Sequence, residues 1–229
     1  MSPRMVPVFL EPTKERKVVV FGGGMVAYRK CRQFEGFRIT VVADRTVPGM
    51  EDVCDEIVLE HFDPSDISPF LEGAFIAVAA TDSKDLNAAI RDSARSKGVL
   101  VNSAHGGGDV LLPSSVRKKH YTVAVSSEGS VPAFPPYVAK KINGFLGEEY
   151  DMMLSLLTDL RKDLKDRIGS QPERAEFLAE VLGDEDIWHM LREGDREGAM
   201  EKALDIEEGY TQRADSTNPL AQSSHDSAC

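Results

Sequence analysis

Two stretches of this 229-residue chain hold residues whose types and spacing could do chemistry. The first is Asn102-Ser-Ala-His105-Gly-Gly-Gly-Asp109. A histidine beside glycines is solvent-accessible and titrates near neutral pH, so it can move protons. The plainer reading is a surface histidine on a flexible loop. Asp109 leaves three alternatives open: pairing with His105, acting as the base itself, or capping a turn. The second stretch is Lys17-Val-Val-Val-Phe21-Gly22-Gly23-Gly24-Met25-Val26-Ala27. Its pattern Gly22-x-Gly24-x-x-Ala27 fits a dinucleotide-binding turn with alanine in the last position. Gly22 permits the tight turn, Gly24 lets a pyrophosphate approach, and Ala27 keeps the helix close to the strand. The unpaired N–H groups of a helix start then face the phosphates. Gly22, Gly23, Gly24, Met25 and Val26 are therefore the candidate cofactor-binding residues, and the cofactor they suit is NAD.

These stretches need elements to position them. The run Val18–Phe21 suits a strand buried on both faces, and a helix is expected from Met25 to Glu35, stopping at Gly36. Further strands are expected at about Arg38–Ala43, Ile57–Leu59, Phe75–Ala79 and Val99–Asn102. A short helix fits near Asp66–Leu71, and a longer one from Lys84 to Lys97 with Leu86, Ala89, Ile90 and Ala94 on one face. Strand and helix alternating at short spacing is the mark of a doubly wound parallel sheet. Asp44, at the end of the second strand, stands where an acid holds ribose hydroxyls, although it could equally begin the turn to Pro48. An acid there favours NAD over NADP, and Arg45 blurs the choice. The nicotinamide should lie near the carboxyl ends of strands four and five, which brings in Thr81 and Asp82 beside His105.

From Pro113 the pattern changes. Tyr121–Ser126 is expected as a strand, Ser126–Ser130 as a polar turn, and Tyr137–Phe145 as a helix delayed by Pro135 and Pro136. Apolar stripes at 152–164, 177–182 and 187–191 predict a small helical bundle. The polar residues 211–229 are expected to be disordered. Val8-Phe9-Leu10 is expected to pack on the first domain. The division is thus 1–112, an NAD-binding domain; 113–147, a small α+β segment; 148–210, a helical domain; and 211–229, a tail.

The net charge of −11 argues against a general nucleic-acid binder. Within 113–145, however, Arg117, Lys118, Lys119, Lys140 and Lys141 face a single acid, Glu128, which fits either a local anion site or a solvated surface. Cys31, Cys54 and Cys229 make neither a disulfide framework nor a zinc set, so a reducing cytoplasm is the default. No apolar run is long enough for a membrane span, and the first ten residues are too interrupted for a signal peptide. The histidines at 61, 105, 120, 189 and 225 lack metal-ligand spacing, so no metal site is expected. Gly-x-Ser-x-Gly is absent.

Phe21-Gly-Gly-Gly-Met-Val-Ala-Tyr-Arg-Lys30 resembles the opening motif of the dehydrogenase module of sirohaem synthase. Ala79-Ala-Thr-Asp82 with Asn87, Asn102 through Leu112-Pro113-Ser114, and Ala124-Val-Ser-Ser127 with Gly129 and Pro132 continue the resemblance in order, from about Val6 to Lys141. It implies a Rossmann-like sheet, a dimerisation segment and a C-terminal helical domain. It also implies NAD-dependent oxidation of precorrin-2 to sirohydrochlorin, with Fe2+ insertion in some members, in a homodimer. The substrate is an anionic tetrapyrrole, and Asn102, Lys118, Lys119, Ser126 and Ser127 become candidate contacts for it. His105 and Asp109 become the candidate catalytic groups. The sequence departs from the family at His105, where the family usually has an aspartate, and at Pro136, where it has a basic residue. A non-catalytic NAD-sensing module is the alternative from another class, and a different small oxidoreductase on the same fold is a third.

Overall fold

The computed structural model describes residues 5–216. The chain forms two compact units. One comprises the chain through Ser114 together with Ser126–Pro135, and the other Ser115–Val125 together with the chain from Pro136 onward.

The first unit is built on β1 (Lys17–Phe21), β2 (Arg38–Ala43), β3 (Glu56–Leu59), β4 (Ala74–Ala79) and β5 (Leu100–Ser103). They form one sheet in the order β3-β2-β1-β4-β5, and all pairs are parallel. Helix α1 (Met25–Gln33) follows β1, α2 (Ile67–Phe70) precedes β4, and α3 (Lys84–Ser96) joins β4 to β5. The apolar run of β1 is explained by two cores. Val18 and Val20 pack with Ala27 and Cys31 of α1, while Val19 and Phe21 pack with Ile90 and Ala94 of α3. A strand covered on both faces has no solvent side to mark with polar residues. Ser83 caps α3, its Oγ accepting the Leu86 N–H at 3.2 Å.

The expected strands and helices of this unit are present, with ends moved by one or two residues. The expected packing of Val8-Phe9-Leu10 is not: Val8 and Phe9 are 71% and 73% exposed. Contact begins later, where Pro12 meets Gly36 and Lys14 pairs with Asp55 at 2.6 Å.

Strands β6 (Ser114–Arg117) and β7 (Thr122–Val125) pair as a two-stranded sheet. The expectation missed β6 because only Val116 of Ser-Ser-Val-Arg is buried, leaving no alternating signal. Helix α4 spans Phe134–Phe145, so Pro135 and Pro136 lie in its first turn rather than ahead of it. First-turn N–H groups have no partner within the helix, so losing them costs little.

In the second unit, α5 (Glu148–Arg167), α6 (Gln171–Gly183), α7 (Glu185–Arg192) and α8 (Arg196–Ser216) share a core of Leu156, Leu160, Leu164, Phe177, Val181, Ile187 and Leu191. Leu182, expected in the second stripe, is instead 46% exposed. Half-buried Trp188 donates its Nε1–H to Leu182 O at 2.8 Å and meets the Tyr150 ring at 5.0 Å. Helix α8 buries Ala199, Ala203, Glu207 and Tyr210, a face too small and too polar to stand out as a stripe. It continues through 211–216, where a disordered tail was expected; the rest of that tail lies outside the described residues. No described helix is long and apolar enough to cross a membrane.

Candidate functional site

The three glycines after β1 do different work. Gly22 has φ +114°, and a Cβ there would run into the Ala80 carbonyl oxygen. The close approach is held by Gly22 N–H donating to Val42 O and Ala80 N–H to Phe21 O, both at 2.9 Å. A Cβ on Gly23 would strike Arg45 O, and the Gly23 carbonyl accepts Val47 N–H at 2.8 Å. Gly24 is the opposite case. It caps α1 without a side-chain hydrogen bond, and a Cβ on it would meet nothing within 4 Å. Open space thus lies beside Gly24 at the helix start, where Met25 and Val26 are 54% and 43% exposed. These features fit a pyrophosphate laid on the helix start. Asp44 is exposed at the end of β2, and its Oδ1 faces His61 Nδ1 at 3.1 Å, an ion pair when the ring is protonated.

A cavity of about 560 Å³ opens beside this turn, at the carboxyl ends of β4 and β5. Its walls include Val26 and Lys30 from α1, Thr81 and Asp82 after β4, and Asn102 and His105 at and after β5. Its size suits a small-molecule or cofactor site, and its position is where open α/β sheets bind ligands. His105 is exposed, and its Nδ1 lies 2.7 Å from Asn87 Nδ2. Asn87 is fully buried, and it also binds Thr81 through the backbone N–H, the backbone carbonyl and the side-chain hydroxyl. Half-buried Lys30 donates to Asn102 Oδ1, and burial pushes its pKa below the ordinary lysine value.

Asp109 does not pair with His105. Arg95 donates to its Oδ1 at 2.8 and 3.0 Å, and Val101 N–H to its Oδ2 at 3.3 Å. The carboxylate thus ties the loop to β5 and α3, and it is not among the cavity-lining residues. Gly108 lies so close to β5 that a Cβ there would sit 2.6 Å from Val101 O.

The remaining candidates do not line this cavity. Ser126 Oγ accepts Glu128 N–H at 3.0 Å, and Ser127 Oγ donates to Val131 O at 3.1 Å, so both hydroxyls hold their own turn. Lys118 and Lys119 belong to the second unit. There Lys118 Nζ donates to Leu146 O at 2.7 Å, and the backbone N–H groups of Lys119 and His120 donate to Asp151.

Residues 8–114 match a family model described as putative NAD(P)-binding. A precorrin-2 dehydrogenase of Methanosarcina barkeri is 32% identical over 203 residues, which cover 85% of this chain and 90% of that protein. The chain belongs to the precorrin-2 dehydrogenase family. It carries an NAD(P)-binding Rossmann domain, and the family places it among the oxidoreductases of sirohaem biosynthesis. The siroheme synthase of Photobacterium profundum is 29% identical over 77% of this chain, which spans 38% of that longer protein. The solved structure titled "SirC, precorrin-2 dehydrogenase" matches with a TM-score of 0.64 over 88% of this chain and all of that one, at 22% identity, and so shares the fold.

Two residues of the site, Lys30 and Asn87, were named from the sequence only within the motifs of the resemblance and were given no role. Lys30 lies three residues after buried Ala27 and one before buried Cys31, and Asn87 lies in phase with buried Ile90 and Ala94. A polar side chain at a core phase of a helix was the available signal.

Proposed function

We propose that this chain catalyses NAD-dependent dehydrogenation of precorrin-2 to sirohydrochlorin. The observation that carries the reading is one cavity, beside the open Gly24 turn, that gathers His105, Lys30 and Asn102. The N–H groups of Met25 and Val26 would hold the cofactor's phosphates, Asp44 its ribose, and Thr81 and Asp82 would border its nicotinamide. When bound, NAD+ supplies the hydride acceptor. The chain's own work is to hold the tetrapyrrole against that position, with the proton lost alongside the hydride passing to solvent. His105 and Lys30 line the cavity, whereas Asp109 is occupied by Arg95.

The test is incubation of the protein with precorrin-2 and NAD+ while following the sirohydrochlorin spectrum. Absence of conversion by folded protein that still binds NAD+ would favour a non-catalytic nucleotide sensor. The basic segment is tested by Lys118→Glu with Lys119→Glu. A raised KM for precorrin-2 is expected, and an unchanged KM removes both from substrate contact.

We also propose that the enzyme works as a cytoplasmic homodimer, with residues 113–147 contributing to the dimer contact. Fe2+ insertion into sirohydrochlorin is proposed as a second activity, with the metal as substrate. Among the described residues no group of three or more His, Cys, Asp and Glu side chains could hold a metal ion. Sirohaem formation from sirohydrochlorin and Fe2+ alone tests it separately.

A further inference from the structure

Asn87 and Asn102 are both buried, and backbone groups fix the orientation of both amides. Asn87 Oδ1 accepts Thr81 N–H at 3.0 Å, and its Nδ2 donates to Thr81 O at 2.9 Å. A peptide N–H only donates and a carbonyl only accepts, so this amide cannot be turned round. The second Nδ2 hydrogen is therefore the one that meets His105 Nδ1 at 2.7 Å, and that ring nitrogen is an acceptor. The proton of the neutral ring then sits on Nε2. Asn102 repeats the logic. Its Nδ2 donates to Val110 O at 2.7 Å, so its Oδ1 faces Lys30 Nζ, which must donate.

We propose that Asn87 and Asn102 are positioning residues that set His105 and Lys30 as a pair of N–H donors for a carboxylate group of the substrate. The proposal rests on the precorrin-2 reading for its ligand class, an anionic tetrapyrrole. Lys30 makes no ion pair among the described residues, and burial disfavours its charge. An incoming carboxylate supplies the missing counter-charge. Asp82, also at the cavity, is exposed to solvent. In this arrangement His105 binds the substrate and does not take up its proton. Nε2 already carries a hydrogen, and Nδ1 is held by Asn87.

Long-range 1H–15N spectra of the ligand-free protein read the tautomer directly, with the His105 signals assigned by their loss in His105→Gln. The expected result is a proton on Nε2, moved to Nδ1 in Asn87→Asp, whose carboxylate can only accept. A wild-type ring protonated on Nδ1 overturns the proposal, whatever the Asn87 variant does. Uroporphyrin, an octacarboxylate porphyrin, serves as an unreactive binding probe. Its Kd should rise on the order of tenfold in Lys30→Met and in His105→Ala, as expected for losing a charge-assisted hydrogen bond, and far less in His105→Gln, which keeps a donor. Unchanged affinity in both Lys30→Met and His105→Ala also overturns it. Neither measurement involves NAD or turnover. Loss of precorrin-2 conversion with both results intact would remove the proposed reaction and keep the anion-binding pair. Conversion by a protein whose ring is protonated on Nδ1 would do the reverse.

Discussion

The glycine turn and the loop that carries His105 border the same cavity but are built on opposite principles. In the turn, the geometry depends on side chains being absent. Gly22 and Gly23 are pressed against the Ala80 and Arg45 carbonyls, and Gly24 leaves the helix start bare. In the loop, the geometry depends on which side chain faces which. Asn87 holds His105, Asn102 holds Lys30, and Arg95 draws Asp109 away. A backbone device tolerates little variation in residue type. A hydrogen-bond device can change its chemistry by one substitution while the fold stays as it is.

The largest effect should come from breaking the first device. Gly22→Ala adds a Cβ against backbone at φ +114°, and it should cost about 3 kcal/mol or more in guanidinium unfolding. Gly24→Ala should cost no more than about 1 kcal/mol, as an exposed helix cap, yet weaken NAD binding strongly by calorimetry. Equal stability losses in the two variants would erase the distinction between a packed and an open glycine.

Lys30 gives a smaller, pH-dependent effect. Its folded pKa lies below its ordinary value of 10.5, so between the two the unfolded chain binds more protons. The penalty of its buried charge is full below that window, and stability rises with pH across it. Lys30→Met should flatten this rise in unfolding curves measured at successive pH values. The smallest effect is expected at Asp109. Asp109→Asn should keep precorrin-2 turnover while the Val101 amide, now poorly paired, exchanges faster with solvent. A collapse of turnover would return Asp109 to the reaction.

The fold was legible from the sequence where one physical constraint acted alone. Val18–Phe21 is apolar throughout because both of its faces are covered, and Gly22 marks the turn because no side chain fits there. The candidate site was legible only as a neighbourhood, in that Thr81, Asp82, Asn102 and His105 line one cavity. The partners within it were not, because contacts such as Asn87 with His105 join distant positions that leave no local pattern. Strand β6 was hidden for a related reason, since its buried face is a lone valine.

The chain has a single tryptophan, and Trp188 sits in the helical unit against Tyr150. Intrinsic emission excited at the red edge therefore monitors that unit alone, and the sheet unit is dark at the same wavelength. Melting followed by emission and by far-ultraviolet dichroism can thus reveal whether the two units unfold together, without any introduced label.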